Sequence, residues 1–196
     1  SFAGIQIITT ESAGDLEYNG ADVANNTIAA DVTQLVISPE SDANGNPYST
    51  FVFKLIDSNG EYSTANYTFT VNVTAVNDIP TITAVSDPSA ILEDAGEQTI
   101  SLSGIGDGDL DATQTITVTA SSNNTSVIPN PTVTYTSDNA TGSLAYTPVS
   151  DVSGTADITV TVSDNGGTAN SGVNSTTMTF TVNVTAVNDI PTITAV

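Results

Sequence analysis

The chain has 196 residues, with 22 acidic side chains against a single cation, Lys54, and neither histidine nor cysteine, for a net charge of −21. Such a field repels polyphosphates and excludes nucleic acid as a partner, while the missing thiols and imidazoles exclude disulfides, soft-metal centres and most general bases and nucleophiles. No apolar run reaches the ~18 residues of a membrane span and no charged-then-apolar leader is present, so neither membrane insertion nor a signal peptide is expected of this stretch.

In chain order, alternation of apolar and polar residues at period two predicts strands at residues 4–9, 51–56 and 67–73. Between the first two, "NGADVANNTIAADV" (19–32) reads as a hairpin tip followed by a short edge segment rather than as a helical turn. From residue 79 a complete set follows: 81–85 with 90–92 (strand A), 98–102 (B), 115–119 (C), 132–136 (D), 143–147 (E), 157–162 (F) and 177–187 (G). Turn clusters at 58–60, 107–109 and 164–167 punctuate these runs. Seven short strands with half-polar faces predict an Ig-like β-sandwich. Its last strand, about eleven residues at ~3.3 Å each, is long enough to run the length of the module.

The stretch "TFTVNVTAVNDIPTITAV" occurs at 68–85 and again, unchanged, at 179–196. That offset of 111 residues predicts two consecutive modules. "PESDANG" (39–45) then falls on "PVSDVSG" (148–154), and Asp57 on Asp164. Upstream of strand C nothing in the first module corresponds to residues 81–111, so it is expected to lack strands A and B. The predicted division is an N-terminally incomplete module at 1–78, a complete one at 79–189, and the start of a following module or linker at 190–196. Ser1 is expected to be an interior point of a longer polypeptide.

"AVNDIP" stands twice at domain spacing, each time behind a strand and a "PxxDxxG…D" series. In this the chain resembles the cadherin-like calcium-binding tandem repeats, of the VNDxP type, of large bacterial cell-surface adhesins. The resemblance covers essentially the whole chain and implies an all-β fold of tandem Ig-like, cadherin-like Greek-key β-sandwiches. It also implies calcium at the joints between modules, and the uncompensated acid agrees, because calcium takes six to eight oxygens from Asp, Glu and carbonyl groups. At the joint the expected ligands are Glu40 and Asp42 from an E–F loop and Asn77 and Asp78 from the linker. Asp107, Asp109 and Asp111 from the B–C loop and Asp164 from the F–G loop complete the set. Glu93, Asp94, Asp151, Asn188 and Asp189 form a half-site at the far end, and Asp57 belongs to a half-site at the near end. Residues 107–118 fail as an EF-hand, since Ala112 stands where that loop needs glycine and Val118 where it needs glutamate.

These features predict a structural spacer in a secreted, extracellular cell-adhesion protein of the bacterial surface, stiffened by calcium. Its expected partners are neighbouring repeats of the same polypeptide, with any cell-surface or extracellular ligand bound through other domains. A ligand-binding adhesin module is the alternative, carbohydrate or protein being the ligand and Tyr18, Tyr48 and Tyr62 the aromatic candidates. A further one is a filament-forming subunit in which strands A and B are donated in trans. Catalysis is not expected, because carboxylate-pair chemistry needs a cleft that a narrow sandwich without long insertions does not offer.

Overall fold

Period-two alternation becomes strand, and in the central Gly154–Ser163 strand the apolar phase turns inward at Ala156, Ile158, Val160 and Val162. The computed structural model describes residues 1–110, 112–191 and 193, which divide into two compact units, Ser1–Ala75 and Val76–Val196. Val76, Asn77 and Asp78 therefore pack with the second unit. Among the described residues no helix is long and apolar enough to cross a membrane.

The first unit contains β1 (Phe2–Thr9), β2 (Asp15–Tyr18), β3 (Ala21–Asp22), β4 (Ile28–Ala29), β5 (Leu35–Ser38), β6 (Gly45–Asp57) and β7 (Tyr67–Val73). One sheet has the order β4-β1-β6-β7 and the other β3-β2-β5. The stretch 19–32 is a hairpin tip and edge strand: Asn19 and Gly20, at φ 54° and 74°, turn β2 into β3, and β4 adds to the edge of β1. A single 3₁₀ turn, Val32–Gln34, follows, capped by Asp31, whose Oδ1 accepts from the Thr33 amide at 3.0 Å. Ile5, Ile7, Leu16, Val23, Ala29 and Phe51 form a small core.

The second unit contains β8 (Ile91–Leu92), β9 (Gln98–Ser103), β10 (Thr117–Ser122), β11 (Thr132–Thr134), β12 (Thr141–Tyr146), β13 (Gly154–Ser163) and β14 (Ser175–Thr185). Its sheets have the orders β10-β13-β14-β8 and β11-β12-β9. All pairings are antiparallel except β8 on β14. The long last strand pairs with β13 from Gly154–Val184 to Ser163–Ser175. Fifteen buried apolar side chains fill the space between the sheets, with Ile128, Leu144, Ile158, Val160, Val162 and Val182 fully enclosed.

Two strand expectations need correction. Residues 81–85 do not form a strand: Thr81 makes an isolated bridge to Gly106, and the Thr83 amide reaches the Ser103 carbonyl at 2.9 Å. The segment then leaves that sheet for the other, where the Val85 amide meets Met178 Sδ at 3.3 Å and Asp87 Oδ1 accepts from the Thr181 amide at 2.7 Å. A chain crossing between sheets cannot keep a regular ladder, and Pro88 removes a donor on the way. Strand C starts at Thr117 rather than 115, because the amides of Thr115 and Ile116 are taken up by Asn165 Oδ1 and Ser137 Oγ.

The two units share a plan, with β1, β2, β5, β6 and β7 standing where β10, β11, β12, β13 and β14 stand. Asp42 and Asp151, matched in sequence, both adopt left-handed φ, 58° and 59°. The described residues of the first unit offer no counterpart of β8 or β9, so β5 and β7 each keep one unpaired edge. The repeated stretch registers the difference: Phe180 is 2 % exposed and Phe69, its identical counterpart, 49 %.

Candidate cation site

Pro80 is buried, and the linker before it is held by glycines. Gly108 has φ 79°, and a Cβ there would overlap the Ile79 carbonyl oxygen. A Cβ on Gly166 would overlap the side-chain amide of Asn77, and one on Gly172 would press on the Asn77 backbone. Asn77 thus lies in a groove only glycines leave open. Its carbonyl accepts from the Val173 amide at 3.1 Å, and its Nδ2 donates to the Val173 carbonyl at 2.8 Å and to Asp164 Oδ1 at 3.2 Å.

Gln114 ties this linker to the B–C loop. Its Nε2 donates to Asn77 Oδ1 and to Asp109 Oδ2, both at 2.6 Å, and its backbone amide donates to Asp107 Oδ2 at 2.9 Å. Asp164 closes the ring from the F–G loop, where Oδ1 also accepts from the Gly166 amide at 3.0 Å. Asp164 and Gln114 are each 8 % exposed, yet Asp164 Oδ2 and Gln114 Oε1 are buried with no hydrogen-bond partner. A buried carboxylate or amide oxygen left unpaired is costly in a folded protein. Two such oxygens, on side chains that both bond Asn77, suit a hard cation, which takes oxygen ligands and no proton.

Of the expected joint ligands, the structure brings Asn77, Asp107 and Asp109 together through Gln114 and ties Asp164 to them through Asn77, with Asp78 half-buried beside Asn77 in the chain. Asp111 lies outside the described residues. No three carboxylates among the described residues gather closely enough to hold a metal by themselves. A cation here would therefore draw on the Asn77 and Gln114 amide oxygens as well as on aspartates. Gln114 was missed in the sequence, where a lone glutamine before a strand reads as an exposed strand start. Its position seven residues after Asp107, on the same acidic turn, was the available signal.

Glu40 and Asp42 belong to the first unit and are exposed there; the Glu40 amide donates to the Tyr48 hydroxyl at 2.9 Å and Asp42 Oδ2 accepts from Ser41 Oγ at 3.1 Å. Asp57 Oδ1 accepts from the Asn59 and Glu61 amides at 2.8 and 2.9 Å. It organises its turn as Asp164 does.

The second expected set lies within the second unit, where no three of its carboxylates among the described residues come close enough to hold a metal by themselves. Glu93 is buried, and its Oε1 accepts from the Val187 amide at 2.8 Å. Asn188 Nδ2 donates to the Asp189 carbonyl at 3.1 Å. Partial desolvation of its carboxyl, followed by the charges of Asp151, Asp94 and Glu93, pushes Asp189 above its ordinary value of 3.8. A carboxyl with a raised pKa in the folded state binds its proton more tightly folded than unfolded. Its contribution is therefore most favourable at acid pH and is lost as pH rises through the raised value. In metal-free buffer, Asp189→Asn should flatten the part of the stability profile just above pH 3.8, as followed by urea unfolding at stepped pH.

A glycine comparison tests the cradle. Gly108 and Gly167 both have left-handed φ, 79° and 90°, but a Cβ at Gly167 meets nothing within 4 Å. Gly167→Ala should cost about 1 kcal/mol from backbone strain alone. Gly108→Ala, which adds the collision with Ile79, should cost about 2–4 kcal/mol in urea unfolding of the second unit.

No family model and no curated protein matches the sequence. Among solved structures the chain is similar to domains 4 and 5 of the S-layer protein SbsC, at 14 % identity over 91 % of this chain and 98 % of that one, with a TM-score of 0.32. It is also similar to EC1-2 of human mucin-like protocadherin, at 15 % identity, 93 % and 84 % coverage and a TM-score of 0.40. Mouse clustered PcdhgC3 EC1-3 gives 15 % identity, 92 % and 54 % coverage and a TM-score of 0.41.

Proposed function

We infer that the chain is a structural spacer built of tandem β-sandwich modules in a cell-surface adhesion protein of bacterial type, secreted and extracellular, and that calcium stiffens the passage from one module to the next. The observation that carries this reading is the pair of buried, unpartnered oxygens, Asp164 Oδ2 and Gln114 Oε1, in a ring that contains Asn77. Asn77 follows β7 by four residues, so a cation that binds this ring also fixes the residues leading out of the first unit. Without the cation the carboxylates of a −21 chain repel one another, and with it their attraction to the ion becomes part of the stability of the fold. We extend the same role to the following joint, where Glu93, Asp94, Asp151 and Asp189 are the expected carboxylates and neighbouring repeats the partners. Lacking histidine, cysteine and all but one cation, the chain is not read as an enzyme.

Small-angle scattering of the full chain in millimolar calcium and in chelator tests the mechanism. Calcium should narrow the distribution of interatomic distances and fix the maximum dimension. Identical profiles in the two buffers would rule the stiffening out.

A further inference from the structure

The outer face of the larger sheet of the second unit carries an array that the spacer reading does not use. β10, β13 and β14 pair in unbroken register, so outward residues standing opposite one another form ranks across the three strands. In the middle rank Thr119 faces Thr161, and Thr161 faces Thr177. The ranks through Ser163 and through Thr159, one on either side, are also threonine or serine at every position, which gives three ranks of three hydroxyls. Their β10 and β14 members are exposed and their β13 members, flanked on both sides, half-buried. In a chain with 22 acids none of these positions is charged. The array stops at Asp157, whose two oxygens accept from Thr181 Oγ1 at 2.7 Å and Asn123 Nδ2 at 2.8 Å.

Threonine suits the wet face of any strand, but the first unit shows that this preference alone does not build the array. Phe51 opposite Phe69 there matches Ile158 opposite Phe180, which places Lys54 where Thr161 stands and Val52 where Thr159 stands. The corresponding pairs are Gly4–Ile56, Gln6–Lys54 and Thr9–Val52, and the register shifts between the last two. In the second unit Thr159 Oγ1 and Thr179 Oγ1 lie 3.3 Å apart, within one rank.

We propose that the hydroxyl-bearing face of β10, β13 and β14 is an ice-binding surface. A sheet face has no walls to enclose a small ligand, which takes a concave site, so its partner is itself an extended surface. The face is neutral on a body of charge −21, which fits an uncharged surface, and each hydroxyl both donates and accepts, which fits a surface whose groups do the same. Crystalline water consists of nothing else. The hydroxyls repeat at ~4.8 Å between strands and ~6.7 Å along them, and the branched Cβ of threonine holds each one near a fixed position, so little freedom is lost on meeting a rigid lattice. Crystalline polysaccharide is the weaker occupant, because no aromatic ring stands on these ranks for a sugar to pack against. A second copy is weaker too, since it would bring two bodies of charge −21 together. None of the cation-ring residues belongs to this face, so the ice reading and the calcium reading fail separately.

The test is partition of the full chain between a slowly grown ice front and the remaining liquid. Wild type should be enriched in the ice at least tenfold over an ordinary protein of similar size. Thr161→Glu, at the centre of the array, and Thr177→Glu, on its exposed β14 side, should each lose most of that enrichment, and the second of these leaves the half-buried positions untouched. Lys54→Glu, at the matching position of the first unit, should partition as wild type does. The proposal is overturned if growing ice rejects the wild-type chain or if Thr177→Glu partitions equally. It is also overturned if powdered chitin or cellulose retains the chain and ice does not, or if gel filtration shows a dimer that Thr177→Glu dissociates.

Discussion

Phe180→Ala should destabilise the second unit by about 3–5 kcal/mol, whereas Phe69→Ala should cost the first unit less than about 1 kcal/mol, although both phenylalanines sit in the same eighteen-residue sequence. Phe180 is 2 % exposed and belongs to the continuous core between the two sheets, so truncation removes a buried ring and leaves a cavity among Ile158, Val160 and their neighbours. Phe69 is 49 % exposed and stacks on Phe51 with ring centroids 5.1 Å apart, one flank open to solvent. Its loss removes a partial contact and encloses no void. Urea unfolding resolved by unit through hydrogen exchange in β14 and β7 would measure both. Equal losses at the two sites would mean that Phe69 is covered in solution, which the open edge of β7 does not provide by itself.

The second large effect is expected at Asp164. In wild type, calcium at a hundred times its dissociation constant should add about 2.7 kcal/mol to the second unit through binding to the folded state alone. Asp164→Asn keeps an oxygen to accept from the Gly166 and Asn77 donors but removes the charge and one of the two oxygens. It should fold in chelator and bind calcium at least tenfold more weakly by titration calorimetry. The rise in melting temperature that calcium gives the wild-type chain should shrink accordingly. Gln114→Leu, which removes the link between Asn77 and Asp109, should weaken binding as well, since it loses the other unpartnered oxygen. Unaltered calcium affinity in Asp164→Asn would place any cation elsewhere.

Much of this was legible in the sequence because β-sandwich strands write their burial at period two. Residues 67–73, 98–102 and 157–162 alternate so regularly that their strands differ from expectation by only a few residues. What the pattern could not carry was the destination of each amide. Residues 81–85 alternate like a strand, yet the segment changes sheets, and a crossover leaves no trace in a binary pattern. Residues 115 and 116 read as strand until Asn165 and Ser137, distant in sequence, claim their donors. Asp107, Asp109 and Asp164, which surround Gln114 and Asn77, read in the sequence as aspartates on turns. Gln114 gave no such sign, because its role depends on facing Asn77 across 37 positions of sequence.

The parallel pairing of β8 with β14 bears on what happens when the second unit is pulled from its ends. β8 lies near its amino-terminal side and β14 is its final strand, so tension on the two termini slides the strands along each other rather than peeling them apart. Bonds loaded in shear share the force and must yield together, and the same pull tears at β14 along its ladder with β13. Among the described residues β7 of the first unit pairs with β6 and with no strand parallel to it. Under stretching force the second unit should therefore hold until the β8–β14 and β13–β14 pairings yield together.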